Sequence, residues 1–235
     1  VLKGGAAIAT GDAQPADRYV GDIDLLVAPE QAERALDLLA AEGWQPQSGG
    51  SIARVKGRHM PRHHAVNLVR GKDGELDLHW SFLLQNRAEG DDAALWAAAE
   101  PARLSGLAIR CPAPPWRLLQ ALTQGAQWSS GNAADWAIDA LALLRRPGLD
   151  WTAFGREVAA RRLEALVGVT LGFLARQVGV ALPPAAAALA AADPAEPWRA
   201  EAVALQEPDA ARGDAANLAL ARAQRRRSAG RRQLY

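Results

Sequence analysis

The sequence predicts an α+β protein in which a small sheet domain is followed by a C-terminal helical bundle. Three observations predict it. Apolar runs of β type recur in the first half, at 23–27, 64–69, 75–80 and 107–110, and period-two alternation divides each into two faces. The stretch Cys111-Pro112-Ala113-Pro114-Pro115 then interrupts the chain, because neighbouring prolines favour extended backbone and block helix. From Trp116 the apolar spacing becomes helical. The expected organisation is a domain at 1–111, a Pro-rich linker at 112–115, a helical domain at 116–192 and a helical or disordered basic tail at 193–235.

Composition narrows the class. At 235 residues the chain can bury one good core, or a small α/β domain with a helical partner. Half the residues are hydrophobic and the net charge is +1, with no apolar run long enough to span a membrane and no recognisable signal peptide. The single cysteine, Cys111, forms no internal disulfide and has no metal-ligand neighbours, which fits a reducing cytoplasm. Eight tryptophans are scattered, from Trp44 to Trp198, as core anchors are, rather than gathered as a base-stacking platform.

Taken in order, Val1-Leu2 is too short for the strand that should lead into Lys3-Gly4-Gly5, since strands usually run about five or six residues; the natural N-terminus is expected further upstream. The glycine pair stands where a strand ends and a helix begins. Glycines let backbone approach a phosphate closely, and the amides of the next helical turn point at the anion. An Ala-rich helical turn and a polar loop, Thr10 to Asp17, lead to Arg18 and the strand Asp22-Ile23-Asp24-Leu25-Leu26-Val27. Residues 29–44 form a helix: Pro29 in its first turn, Ala32, Ala35, Leu36, Leu38 and Leu39 as an apolar stripe, Gly43 as the stop. Then come a strand at 52–55, a basic loop through Arg62, a strand at 64–69, and a turn at Lys72-Asp73-Gly74 into the next strand. A charged, alanine-rich connector, 86–101, precedes the strand at 107–110. Beyond the linker, one helix carries Trp116, Leu118, Leu119 and Leu122, and others cover 134–144, 151–162 and 163–178. Polar breaks at 129–132 and 146–148 separate them, giving a bundle expected to stack on the first domain.

The chemistry gathers at two strands. Asp22 and Asp24 project to the same side of theirs. Two such anions repel, and burial worsens it, so the pair makes sense around a hard cation such as Mg²⁺; a solvated strand start is the alternative. On the later strand Glu75, Asp77 and His79 share one face, and Leu76, Leu78 and Trp80 share the other, which supplies a third carboxylate. All four histidines lie between His59 and His79. His59, His63 and His64 raise the question of a transition-metal site, but no cysteine accompanies them and a loop fixes no ligand geometry.

A glycine turn, an Asp-x-Asp strand and one acid on a later strand resemble the DNA polymerase β-like nucleotidyltransferase superfamily. Leu2-Lys3-Gly4, Arg18, the strand Gly21 to Val27, Pro29-Glu30, Gly43-Trp44 and Asp77-Leu78-His79-Trp80 resemble more closely a bacterial nucleotidyltransferase family of largely unassigned role. Gly125-Ala126, Trp136, Asp139, Leu149-Asp150-Trp151 and Leu182-Pro183 extend the likeness across positions 2–183. Gln124 and Gln127 stand where many family members carry histidines. The resemblance implies a small mixed-sheet nucleotidyltransferase domain in which Asp22, Asp24 and Asp77 hold two Mg²⁺ ions about 4 Å apart. It implies that Lys3, Gly4 and Gly5 hold the β- and γ-phosphates of an NTP such as ATP while an acceptor hydroxyl attacks the α-phosphorus. Arg18 is then either a triphosphate contact or a surface arginine. His79 either takes a proton or contacts a phosphate, or else orients Asp77, and the basic loop is a candidate to meet phosphate or substrate. Asp139 either faces the cleft or has a buried structural partner.

Two rival functions remain. One is a nucleotide-binding regulatory module without turnover. The other is a toxin-like, RNA-directed transferase, supported by the basic loop and by Arg225-Arg226-Arg227 and Arg231-Arg232, although such a cluster is usually a solvated helix end or tail. Neither the acceptor, the base nor the oligomeric state is encoded in a readable motif.

Overall fold

The computed structural model describes residues 1–72, 74–84, 92–125 and 135–191. Asp73, Ala126, Gln127, Ala134, the break at 129–132, the start of the connector at 86–91 and the basic tail lie outside the described residues. The protein is α+β with a small mixed sheet. The chain divides into two compact units, Val1–Ala113 and Pro114–Tyr235. Among the described residues, no helix is long and apolar enough to cross a membrane.

In the first unit, helix α1 (Lys3–Ala9) leads to strand β1 (Ile23–Leu26), a 3-10 turn (Pro29–Gln31) and helix α2 (Ala32–Ala41). The helix expected at 29–44 is thus shorter. It ends before Gly43, whose φ of 87° is open to glycine at little cost, and Trp44 is already outside it. Strands β2 (Gln45–Pro46), β3 (Ala65–Arg70) and β4 (Gly74–His79) complete a sheet of order β1-β4-β3-β2. β1 runs parallel to β4, whereas β4–β3 and β3–β2 are antiparallel.

The strand expected at 52–55 is not formed. Helix α3 (Ile52–Arg54) stands there, continued by a π-helical turn (Val55–His59). Ser51 caps it by accepting a hydrogen bond from the Arg54 amide at 3.2 Å. Ile52 and Val55 are three residues apart, a spacing that serves a helical face as well as a strand, and both pack on the core. Besides β4, β3 pairs with the shorter β2, which the sequence did not reveal.

One face of the sheet is the core. Val66, Leu68, Leu76 and Leu78 point toward Ala32 and Leu36 of α2, with Val55, Trp80 and the partly buried Leu25, Val27 and Trp44 around them. Parity then sends Asp24, Asp77 and His79 to the opposite face. The same alternation that builds the core therefore builds the site.

The connector also carries structure. Helix α4 (Ala93–Ala98) is followed by β5 (Glu100–Leu104), which pairs with β6 (Leu107–Cys111) as a hairpin. Ser105 and Gly106 both have positive φ, 48° and 83°, the two-residue turn whose twist matches flanking strands.

In the second unit, α5 (Pro114–Gly125), α6 (Asp135–Leu144), α7 (Trp151–Ala160), α8 (Glu164–Arg176) and α9 (Pro184–Ala191) follow one another. Pro114 and Pro115 open α5 instead of extending a linker, because first-turn residues need no amide donor. Asp150 caps α7 by accepting from the Ala153 amide at 2.8 Å.

Candidate active site

The β1–β4 register sets the site. Asp24 is the Cα partner of Asp77, and Leu26 that of His79; parallel partners point to one face, so the two carboxylates meet by construction. Asp24 is buried to 3% exposure and His79 to 2%. Among the described residues, one group of three offers ligand atoms that all lie within 4.8 Å of one another: Asp24, Asp77 and His79.

The negative charge of this group is partly offset from within. The Lys3 ammonium lies 2.5 Å from Asp24 Oδ1 and 3.8 Å from Asp77 Oδ2. His79 Nε2 lies 3.1 Å from the same Asp24 Oδ1. Lys3 is the first residue of α1, and the entry of that helix is tied to β1 by the Leu2 amide donating to the Asp24 carbonyl at 3.0 Å. Its backbone is left-handed, φ 46°, a conformation that costs a residue with a β-carbon roughly 1–2 kcal/mol.

The three acids titrate differently. Burial alone would push Asp24 up, but the His79 hydrogen bond and the Lys3 charge outweigh it and hold its carboxyl below the usual range. Asp77 is pushed up, first by burial and then by Asp24 and Asp22, with Lys3 opposing. Asp22 is likewise raised by burial and by the Asp24 charge. It stands just before β1, beside the group rather than within it.

The glycines serve close packing. Both are buried inside the first turn of α1. A β-carbon on Gly4 would lie 3.0 Å from Val20 Cγ2 and 3.4 Å from the Arg18 Cζ, and one on Gly5 would lie 2.9 Å from Val1 Cγ1. Arg18 therefore lies against α1, donating to the Tyr19 carbonyl.

The histidines behave differently from one another. His59 and His63 stack with centroids 3.9 Å apart, and His59 Nε2 contacts the Ala65 carbonyl at 2.8 Å. His64 sets its ring edge-on to His79 at 5.1 Å, so it backs the acidic group. Sequence reasoning missed this contact. It also missed Asn67, the exposed β3 partner of Asp77, which shares its face because directly opposed strand residues do. Both follow only from the pairing of β3 with β4. Asp139 is buried on α6.

Two facing carboxylates beside a third, with a lysine and a histidine on one of them, form a donor set that suits a hard divalent ion and an anionic substrate. No curated protein matches the chain. The family model for an uncharacterised nucleotidyltransferase matches residues 1–179, which takes in every residue of this group, and the chain belongs to that nucleotidyltransferase family.

Proposed function

We propose that the protein transfers an NMP group from an NTP to a hydroxyl of an acceptor, with release of pyrophosphate and dependence on Mg²⁺. The observation that carries this is the in-register pairing of Asp24 with Asp77 inside a chain of nucleotidyltransferase type. Asp24 and Asp77, with Asp22 alongside, would hold divalent metal, which when bound neutralises triphosphate charge and favours in-line displacement.

The chain's own residues do the rest. His79 fixes Asp24 in one orientation through the 3.1 Å contact. Lys3, and Arg18 beside Gly4, would meet the phosphates. The acceptor oxygen attacks the α-phosphorus, a new P–O bond forms, and the bond to the bridging oxygen of the β-phosphate breaks. Pyrophosphate leaves with that electron pair. Asp77, which faces Asp24 across the strand pair, would take the hydroxyl proton. Most of the rate gain comes from positioning and charge neutralisation.

The test is a melting panel with ATP, GTP, CTP and UTP, each with and without Mg²⁺, on the wild-type chain and on Asp24→Ala. A ligand at a hundredfold excess over Kd stabilises by about 2.7 kcal/mol, roughly 5–10 °C for a chain of this size. One NTP should shift the melt only with Mg²⁺, and Asp24→Ala should lose the shift. If no nucleotide shifts either protein while both melt cooperatively, the proposal fails.

A further inference from the structure

We infer that Lys3 is the site's own counter-cation and competes with divalent metal for Asp24 and Asp77. The inference rests on the nucleotidyltransfer proposal and concerns how the same site is charged. The Lys3 ammonium already stands between the two carboxylates, 2.5 Å from Asp24 and 3.8 Å from Asp77. Asp24 Oδ1 receives both this ammonium and the His79 ring nitrogen, so that oxygen is fully engaged by protein groups. A small divalent ion needs carboxylate oxygens at roughly 2.0–2.1 Å. Bound there, it would lie within a few ångströms of a fixed positive charge that shares its ligands, and the two cations repel across a half-buried site.

The competition has a structural reason. Asp24 and Asp77 face each other across the strand pair, with Asp22 alongside, and without a cation between them their charges repel. Lys3 relieves that repulsion. It also has somewhere to go, since its side chain keeps 22% of its surface exposed, and it departs from the first turn of α1 beside Arg18 and Gly4. Metal arriving with a nucleotide therefore exchanges for Lys3 and frees the ammonium for the phosphates that come with it. A lysine that served only the phosphates would leave the affinity for metal alone unchanged.

The experiment titrates the full-length protein with Mn²⁺ alone, read by its paramagnetic resonance signal, in wild type, Lys3→Met, Lys3→Arg and Asp24→Asn. Lys3→Met should bind Mn²⁺ about tenfold more tightly than wild type, and Lys3→Arg, which keeps the charge, should stay near wild type. Without metal Lys3→Met should melt below wild type, and saturating Mn²⁺ should close that gap. Equal or weaker Mn²⁺ binding by Lys3→Met overturns the inference and leaves the transferase proposal standing. If neither wild type nor Lys3→Met binds Mn²⁺ more than Asp24→Asn does, both fall. The wild-type chain supplies a measurement independent of any variant: acylation of the Lys3 amine, mapped by peptide mass, should rise when Mn²⁺ is added, and unchanged or reduced labelling overturns the inference.

Discussion

Asp24 and Asp77 are Cα partners across the parallel β1–β4 pair, yet their carboxyls are displaced in opposite directions. Asp24 is held below the usual range by His79 and Lys3 against the pull of burial. Asp77 is pushed above it by burial and neighbouring anions. One face of one strand pair thus carries a carboxylate that the fold welcomes and another that the fold tolerates.

Opposite shifts predict opposite pH behaviour. A carboxyl raised in the folded state binds its proton more tightly there than in the unfolded chain. Stability therefore falls as pH climbs from the unfolded value, about 3.9, through the folded one, and the penalty is complete above it. Asp77→Asn removes that penalty, so without metal it should melt above wild type at neutral pH, the advantage vanishing below about pH 3.9. A depressed carboxyl contributes stability above its unfolded value and loses it as pH falls through the folded one. Asp24→Asn should therefore melt below wild type at neutral pH. Melting curves of both variants from pH 3 to pH 7 check the signs, and equal signs at neutral pH would contradict the assignment.

His79 acts through Asp24. The 3.1 Å contact fixes the carboxylate that a metal would need, and removing a group that orients a ligand typically costs 10–100-fold in metal affinity or activity. His79→Ala should show a loss of that order. His79→Gln, which keeps a donor, should recover part of it. Mn²⁺ affinity separates this from simple destabilisation: if His79→Ala is less stable but binds Mn²⁺ like wild type, the orienting role is wrong.

Much of the site was legible because strand parity is a local rule. Asp22 and Asp24, and then Asp77 and His79, share a face through spacing alone, and β1 and β4 are both found where that spacing placed them. What parity cannot give is pairing. The β1–β4 register, which makes Asp24 and Asp77 neighbours, and the β3–β4 pairing, which brings in His64 and Asn67, are contacts between distant segments. The misplaced strand at 52–55 has a local cause: Ile52 and Val55 satisfy either period over so short a run, and only the Ser51 cap favours helix. The approach of Lys3 to both carboxylates is likewise a contact between distant segments, and its positive φ is one that a non-glycine residue does not advertise.

The core face should respond as a core. Leu78 is 1% exposed, pairs with Val66 across β3–β4 and belongs to the apolar cluster with Leu36 and Leu68. Leu78→Ala removes three carbons with limited room for collapse, which costs about 2–5 kcal/mol. Because Leu78 sits between Asp77 and His79, the loss should also loosen the acidic face. Urea unfolding should show a midpoint shift with an unchanged slope. A cost under about 1 kcal/mol would mean that the neighbours repack fully.

Two helical glycines of the second unit should answer a Gly→Ala change with opposite signs. Gly155 lies inside α7 with open space around its missing β-carbon. Gly155→Ala should then gain the usual helix advantage, about 0.5–1 kcal/mol, because the unfolded chain loses freedom and nothing is displaced. Gly125 closes α5 against Trp136, where a β-carbon would lie 2.5 Å from the indole ring. That ring is buried and large, so it cannot swing away as the tip of a flexible chain would, and overpacking of this kind typically costs about 1–3 kcal/mol. The clash exceeds the helix gain, and Gly125→Ala should lower the melting temperature while Gly155→Ala raises it. A stabilised Gly125→Ala would mean that Trp136 does not rest on α5.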